Sequence, residues 1–401
     1  MTPIVRVGAA MSAMTAVSQF HRAAVGVVAP ELAAELELGP AALGSANTAF
    51  FLALLVAQLP VGVGLDRLGP RRLVTWLTAL AVVGSVGQAL AADGVQFLAA
   101  RFVLGLGCAA SFMSAVVLAG RWHAGPGLTK AMSGIFAWSQ VGILAAGAPL
   151  ALASGLVGWR GAYLVSAGLT VLVGVAWWRW AEDAPPGMVL REVKKETLRE
   201  VLAGQFTVWR TPGLLRILSM HCFAYAVMAT LLTLWAGPYL YDVHGLDAGG
   251  RGTVLLAMGL TVPCGQLSLP FLERHLGREP AVITSAVIVI LAMVTLALWP
   301  GIPLWAAVLL LMLCCFFSTY SIILVAQGRA LFPEHMVGRG ITTVNLGQVL
   351  GSALLPAVVG GAVALVGVGE AGYRVGFLLL GFSLVIGIAG YRLLPRGTAQ
   401  R

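Results

Sequence analysis

The chain has 401 residues, 59% of them hydrophobic and only 10% charged, with a mean hydropathy of +0.91. Soluble domains carry about 25% charged residues, so a water-soluble core is excluded as the basis of the fold. The net charge of +9 has to be read from where the cations sit before it says anything about partners.

Apolar runs of about 20 residues, enough to cross a hydrocarbon core, recur along the whole length. They predict spans near 7–30, 41–63, 73–92, 95–119, 131–155 and 160–180, then near 213–237, 251–270, 281–299, 303–327, 340–364 and 372–393. The first run follows a single basic residue, Arg6, and is longer than a signal-peptide core, so a retained span is expected. Of the 25 Lys and Arg, two (Arg22, Arg101) lie inside spans and three (Arg160, Arg251, Arg374) on one set of loops. The remainder fall on the opposite loops and the termini, which predicts both termini in the cytoplasm of a multi-pass protein of the cell inner membrane. The basic charge is thus an orientation signal, and no nucleic-acid partner is expected. Five cysteines lie in apolar runs without metal-ligand spacing, so no cofactor or metal is expected; the partners are the lipid bilayer and a small-molecule substrate, and the assembly a monomer.

Between Ala181 and Pro212 lies the one long polar segment, with Pro185, Pro186 and then REVKKETLRE. It divides the chain into a first bundle over 1–180, a linker over 181–212 and a second bundle over 213–401. Val189, Val193 and Val201 suit either a short helix on the headgroups or a solvated linker. The two halves share punctuation. Gly158-Trp159-Arg160-Gly161-Ala162-Tyr163 opens span six and Gly372-Tyr373-Arg374-Val375-Gly376-Phe377 opens span twelve, while Asp66-Arg67-Leu68-Gly69 after span two is echoed by Glu273-Arg274-His275-Leu276-Gly277-Arg278 after span eight. Such parallel duplication places a site at the midplane between halves.

The loop with Gly62, Gly64, Asp66, Arg67, Gly69, Pro70, Arg71 and Arg72 sets one carboxylate among cations and turn formers. Asp66 can pair with a neighbouring Arg or face a helix N-terminus, forming a latch that breaks on rearrangement. This loop resembles the signature of the major facilitator superfamily. In span four, Arg101, Gly105, Gly107 and Ala109 match that superfamily's Arg-x-x-x-Gly-x-Gly-x-Ala pattern. The resemblance implies an all-α integral membrane fold of twelve transmembrane helices in two pseudo-symmetric six-helix bundles. It also implies gating or coupling roles for Asp66, Arg67, Gly69, Arg71, Arg72 and Arg101. For Arg101, near the start of its span, snorkelling to the surface is the rival reading. Span five lacks the Gly-Pro-x-x-Gly-Gly pattern of the superfamily's drug–proton antiporters.

Span one carries His21 and Arg22 in mid-stretch. An intramembrane cation costs about 2.5–3.5 kcal/mol on insertion scales and marks function by default. The spacing of Arg22 to Pro30 resembles the organophosphate:phosphate antiporter branch, in which that arginine holds substrate phosphate. The second arginine of that branch, six residues before a Trp in span seven, is here Ala229 before Trp235. One arginine suits a singly charged organic anion, held bidentately, and all sixteen Asp and Glu can be assigned to loops, termini or span ends. Two readings of Arg22 stay open at this point: a substrate anion neutralises it, or helix carbonyls and water do.

From the second half, His221 and Tyr225 share a face of span seven, and Asn345 and Gln348 a face of span eleven; Trp138 and Gln140 in span five complete the candidate substrate-binding set. The residues indicate a secondary or facilitative transporter of a small organic anion working by alternating access. A proton-coupled efflux pump and a non-transporting solute sensor are the alternatives. An enzyme is not indicated, as no nucleophile–base–acid set is present.

Overall fold

The computed structural model describes residues 2–37, 40–123, 126–188, 198–246, 248–367 and 369–395, and among these all regular structure is helical. The helices are α1 (Pro3–Glu35), α2 (Pro40–Leu90), α3 (Gly94–Cys108), α4 (Ser111–Trp122), α5 (Pro126–Ser139), α6 (Val141–Ala145), α7 (Ala148–Trp180) and α8 (Leu198–Trp209). They continue with α9 (Leu214–Thr230), α10 (Ala236–Asp242), α11 (Ala248–Leu276), α12 (Arg278–Leu298), α13 (Leu304–Phe317), α14 (Ser321–Ala330), α15 (Val337–Val366) and α16 (Glu370–Leu393).

Eight of these stretches are long and apolar enough to cross a membrane, and nine if the pair bent by 77° around Thr211–Gly213 is one span. Two over-long helices account for most of the shortfall from twelve, and α1, which is outside that count, supplies the remaining crossing. As a straight rod, the 51 residues of α2 would extend roughly 77 Å, more than twice a hydrocarbon core of about 30 Å. The rod is broken at Gly69 (φ 78, ψ 158) into two spans. Likewise α7 is broken at Gly158 (φ 71, ψ 164). Its first part continues α5 and α6 as the fifth span, and its second part is the sixth. With α1, α3–α4, α9–α10, α11, α12, α13–α14, α15 and α16, the described helices supply twelve crossings. Val189 and Val193 of the polar segment lie outside the described residues; α8 follows them.

Contacts group the chain into two compact units. The first comprises Met1–Ala124, Gly134–Gln205 and Pro333–Thr342; the second comprises Gly125–Ser133, Phe206–Phe332 and Thr343–Arg401. Within the first, α1 packs against α4, α6 and α7, and its last turns join Phe97, Trp159 and Tyr163 in a buried cluster. Within the second, α9 packs against α14 and α16.

The duplication suggested by the loops extends to atomic detail. Gly277 (φ 83, ψ 164) repeats the backbone of Gly69, a left-handed-side conformation that a side chain would strain. In the first unit, Glu35 at the end of α1 accepts hydrogen bonds from Trp159 Nε1 and Arg160 Nε. Arg160 also donates to the carbonyls of Ala89 and Ala91, each at 2.7 Å. In the second unit, Asp242 at the end of α10 accepts from Tyr373 Oη, and the adjacent Arg374 donates to the carbonyl of Ala297. Two glycines repeat as well. A Cβ on Gly142 would lie 1.9 Å from the carbonyl oxygen of Ala16, and one on Gly351 would lie 1.6 Å from that of Cys222. Both glycines let two backbones approach to a distance that no larger residue allows, the usual use of small residues between membrane helices.

Candidate functional site

Asp66 stands four residues after Gly62 near the end of the second span, and its side chain is 2% exposed. A buried carboxylate needs hydrogen-bond donors, and the start of α15 supplies them. Gly338 N–H donates to Oδ1 at 2.6 Å, Arg339 N–H to Oδ2 at 3.2 Å, and Arg339 Nε to Oδ2 at 3.0 Å. The carboxylate therefore meets the unsatisfied amides and positive end of a helix N-terminus together with a guanidinium. Glycine makes the approach possible: a Cβ on Gly338 would stand 2.4 Å from the Gly62 carbonyl oxygen and 2.7 Å from Asp66 Oδ1. Both partners that the sequence allowed for Asp66 are thus present in kind, but the arginine is Arg339 rather than a neighbour in the loop.

The loop cations do different work. Arg71 donates from Nε and Nη2 to the carbonyl of Trp178, at 3.1 and 2.7 Å, and lies 4.6 Å above that indole ring. Its backbone N–H donates to Asp183 Oδ1 at 2.8 Å. Gly69 is held against Asp183 too, since a Cβ there would meet Oδ2 at 2.6 Å. Arg72 is exposed and Arg67 half-buried. Arg121, absent from the sequence-derived set, pairs with Glu334 at 3.2 Å and donates to the carbonyl of Asp183 at 3.1 Å. Its only sequence signal is a basic residue at the end of an apolar run.

A second cluster forms where the Arg101 side chain of α3 reaches the main chain of α1. Arg101 is 0% exposed, which overturns the snorkelling reading. Its Nη1 donates to the carbonyl of His21 at 2.7 Å and its Nη2 to that of Arg22 at 3.3 Å, with the guanidinium 4.7 Å above Phe50. Gly105, one turn on, brings α3 close to α2 rather than to α1: a Cβ there would lie 2.7 Å from the Phe50 carbonyl oxygen. The His21 ring is also fully buried, with Nε2 2.9 Å from Thr170 Oγ1 and Nδ1 without a partner among the described residues. Arg22 is half-buried. Its guanidinium lies 5.4 Å above the ring of Phe51, and among the described residues its Nε has no hydrogen-bond partner.

In the second unit His221 is fully buried and neither ring nitrogen has a partner among the described residues; Tyr225, one turn further along α9, is half-buried. The Gly351–Cys222 approach brings α15 against this part of α9, so the half-buried Asn345 and Gln348 stand on a helix in contact with the one that carries His221. Trp138 is 66% exposed. Gln140 marks the junction of α5 and α6 and has a buried Oε1 without a partner. The structure thus joins Arg22, His21 and Arg101 in one unit, and sets the helices of His221, Tyr225, Asn345 and Gln348 together in the other.

A helical membrane fold with a break at a Gly-rich acidic–basic loop, repeated in both halves, defines a carrier-type membrane protein. The family model described as Major Facilitator Superfamily matches residues 11–356, and the chain belongs to that family. It is 28% identical over 177 residues to the nitrate/nitrite transporter NrtP of Nostoc punctiforme, covering 42% of this chain and 35% of that protein. It is 25% identical over 181 residues to the 4-hydroxybenzoate transporter PcaK of Pseudomonas aeruginosa, covering 45% and 40%. The matched stretch therefore spans well under half the length of either relative. Among solved structures, the proton:xylose symporter XylE superposes with a TM-score of 0.78 at 13% identity, covering 99% of this chain and 98% of that one. The fold is thus the twelve-helix major facilitator fold.

Proposed function

We propose that the protein is a secondary or facilitative transporter of a small organic anion in the cell inner membrane, with both termini in the cytoplasm. Two six-helix halves, 1–180 and 213–401, are joined by the linker 181–212, and a site containing Arg22 opens alternately to the two sides. The observation that carries this reading is Arg22 itself. It sits in the middle of α1, and among the described residues its Nε lacks a hydrogen-bond acceptor and no carboxylate pairs with it. A cation in an apolar helix without an internal counter-ion calls for one from outside, and an arginine fork holds a carboxylate or nitrate in two parallel hydrogen bonds. The names of two relatives, a nitrate/nitrite and a 4-hydroxybenzoate transporter, support a planar anion.

Arg101 positions Arg22 by holding the α1 main chain, and Asp66 with Arg339 latches one of the alternating states. His21, His221, Tyr225, Trp138, Gln140, Asn345 and Gln348 supply neutral contacts. Uptake of nitrate, 4-hydroxybenzoate and a phosphate ester into proteoliposomes tests the reading: uptake of a planar anion is expected, and full uptake by Arg22→Ala removes Arg22 from the site.

A further inference from the structure

A cavity of about 420 Å³ opens at one end of the second unit, lined by Arg216, Glu279, Pro280, Ile283, Thr284 and Arg392. Three helices supply it: the start of α9, the start of α12 and the end of α16. Arg216 is the fixed element. Its side chain is 3% exposed, its Nη2 lies 2.7 Å from Glu279 Oε1, its Nε donates to the Tyr391 carbonyl at 2.6 Å, and its guanidinium is 4.1 Å above the Tyr391 ring. The Tyr391 hydroxyl is anchored in turn by Gln327 at 2.7 Å.

Charge is unbalanced in this cavity. Glu279 is engaged by Arg216, whereas Arg392 is exposed and no described carboxylate pairs with it, so the lining keeps one net positive charge. Thr284 adds an exposed hydroxyl. Around the polar lining the same three helices present apolar surface: Leu215 is 57% exposed, Val287 39%, Leu291 59% and Leu393 83%. A charged mouth on helices that also present exposed leucines and a valine complements a lipid with an anionic headgroup, phosphate to the arginines and acyl chains on the apolar helix surface. The duplication gives an independent argument. The Ala16–Cys222 correspondence sets Ala10 in the first half at the place of Arg216, so the fold repeat does not require a buried arginine there.

We propose that this cavity binds a phosphate-bearing anion, supplied by the headgroup of an anionic membrane lipid. The test is native mass spectrometry of the full chain released from mixed phosphatidylglycerol and phosphatidylcholine vesicles, with and without inorganic phosphate. Wild type is expected to retain phosphatidylglycerol over phosphatidylcholine, and Arg392→Gln to lower that retention about fivefold, the worth of one arginine near an anionic surface. Arg210→Gln, at the same end of the unit but outside the cavity, is expected to leave it unchanged. Displacement of the lipid by inorganic phosphate, lost in Arg392→Gln, supports the anion site and assigns its source to free phosphate. Retention equal in wild type and Arg392→Gln, or lowered as much by Arg210→Gln, overturns the proposal.

Discussion

Asp66 and Arg339 form a buried ion pair, Oδ2 to Nε at 3.0 Å, across 273 positions of sequence, and each side chain is 2% exposed. The pair also ties Asp66 to two amides at the start of α15, so its loss uncovers three donors together. Breaking a buried pair by removing one partner strands the other charge, at a cost of about 3–5 kcal/mol. Asp66→Asn retains the shape and an acceptor oxygen, so a loss nearer the lower figure, about 3 kcal/mol, is expected. Thermal unfolding of the purified variant measures it, and restoration by Asp66→Glu would show that charge rather than exact reach sustains the pair.

Arg22 gives the opposite pattern. It is half-buried, without an ion pair among the described residues, and lies 5.4 Å from the ring of Phe51. Arg22→Ala is expected to change stability by less than about 1 kcal/mol, the scale of an exposed cation–π contact, while anion uptake falls by more than tenfold. Arg22→Lys, a point charge without the planar fork, is expected to retain part of the uptake. Paired melting and uptake measurements on the two variants check the separation.

The helix crossings at Gly142 and Gly351 are steric predictions. An added methyl would lie within 2 Å of a backbone oxygen at either place, and overpacking of that kind costs about 1–3 kcal/mol. Gly155→Ala serves as control, since a Cβ there meets nothing within 4 Å; it is expected to stay within about 0.5 kcal/mol of wild type. Denaturation midpoints of the three alanine variants decide the point.

At the end of α1 the hydrogen bond from Arg160, and after it that from Trp159, hold the Glu35 carboxyl below its ordinary value. A carboxylate depressed in the folded state contributes stability that is fully present above the unfolded value, about 4.3, and is lost as pH falls through the lower folded value. Glu35→Gln should therefore melt below wild type at neutral pH, and the two melting curves should converge as the pH falls from the unfolded value through the lowered folded one. A constant offset at all pH values would assign the effect to packing instead.

Much of this architecture is legible in the sequence because it is local. Gly69 and Gly277 stand in matching acidic–basic loops and adopt matching backbone angles, and the Trp159-Arg160 and Tyr373-Arg374 pairs perform matching bonds. What escaped prediction is long-range. Nothing around Arg339 except its flanking glycines indicates that it will meet Asp66. Arg121 finds Glu334 across 213 positions. The exchange of Gly125–Ser133 and Pro333–Thr342 between the compact units depends on which loop meets which helix end, and periodicity carries no record of that. Arg101 was recognisable as exceptional, but its acceptors are main-chain carbonyls, which every residue possesses.

That last contact has a consequence for how such a protein diversifies. Arg101 grips oxygen atoms of the peptide backbone at positions 21 and 22, and that grip is indifferent to which side chains those positions carry. The helix can keep its pose while the side chains at positions 21 and 22 are exchanged. On the function proposed above, a fixed mount with a replaceable head at position 22 allows a change of cargo without a change of frame.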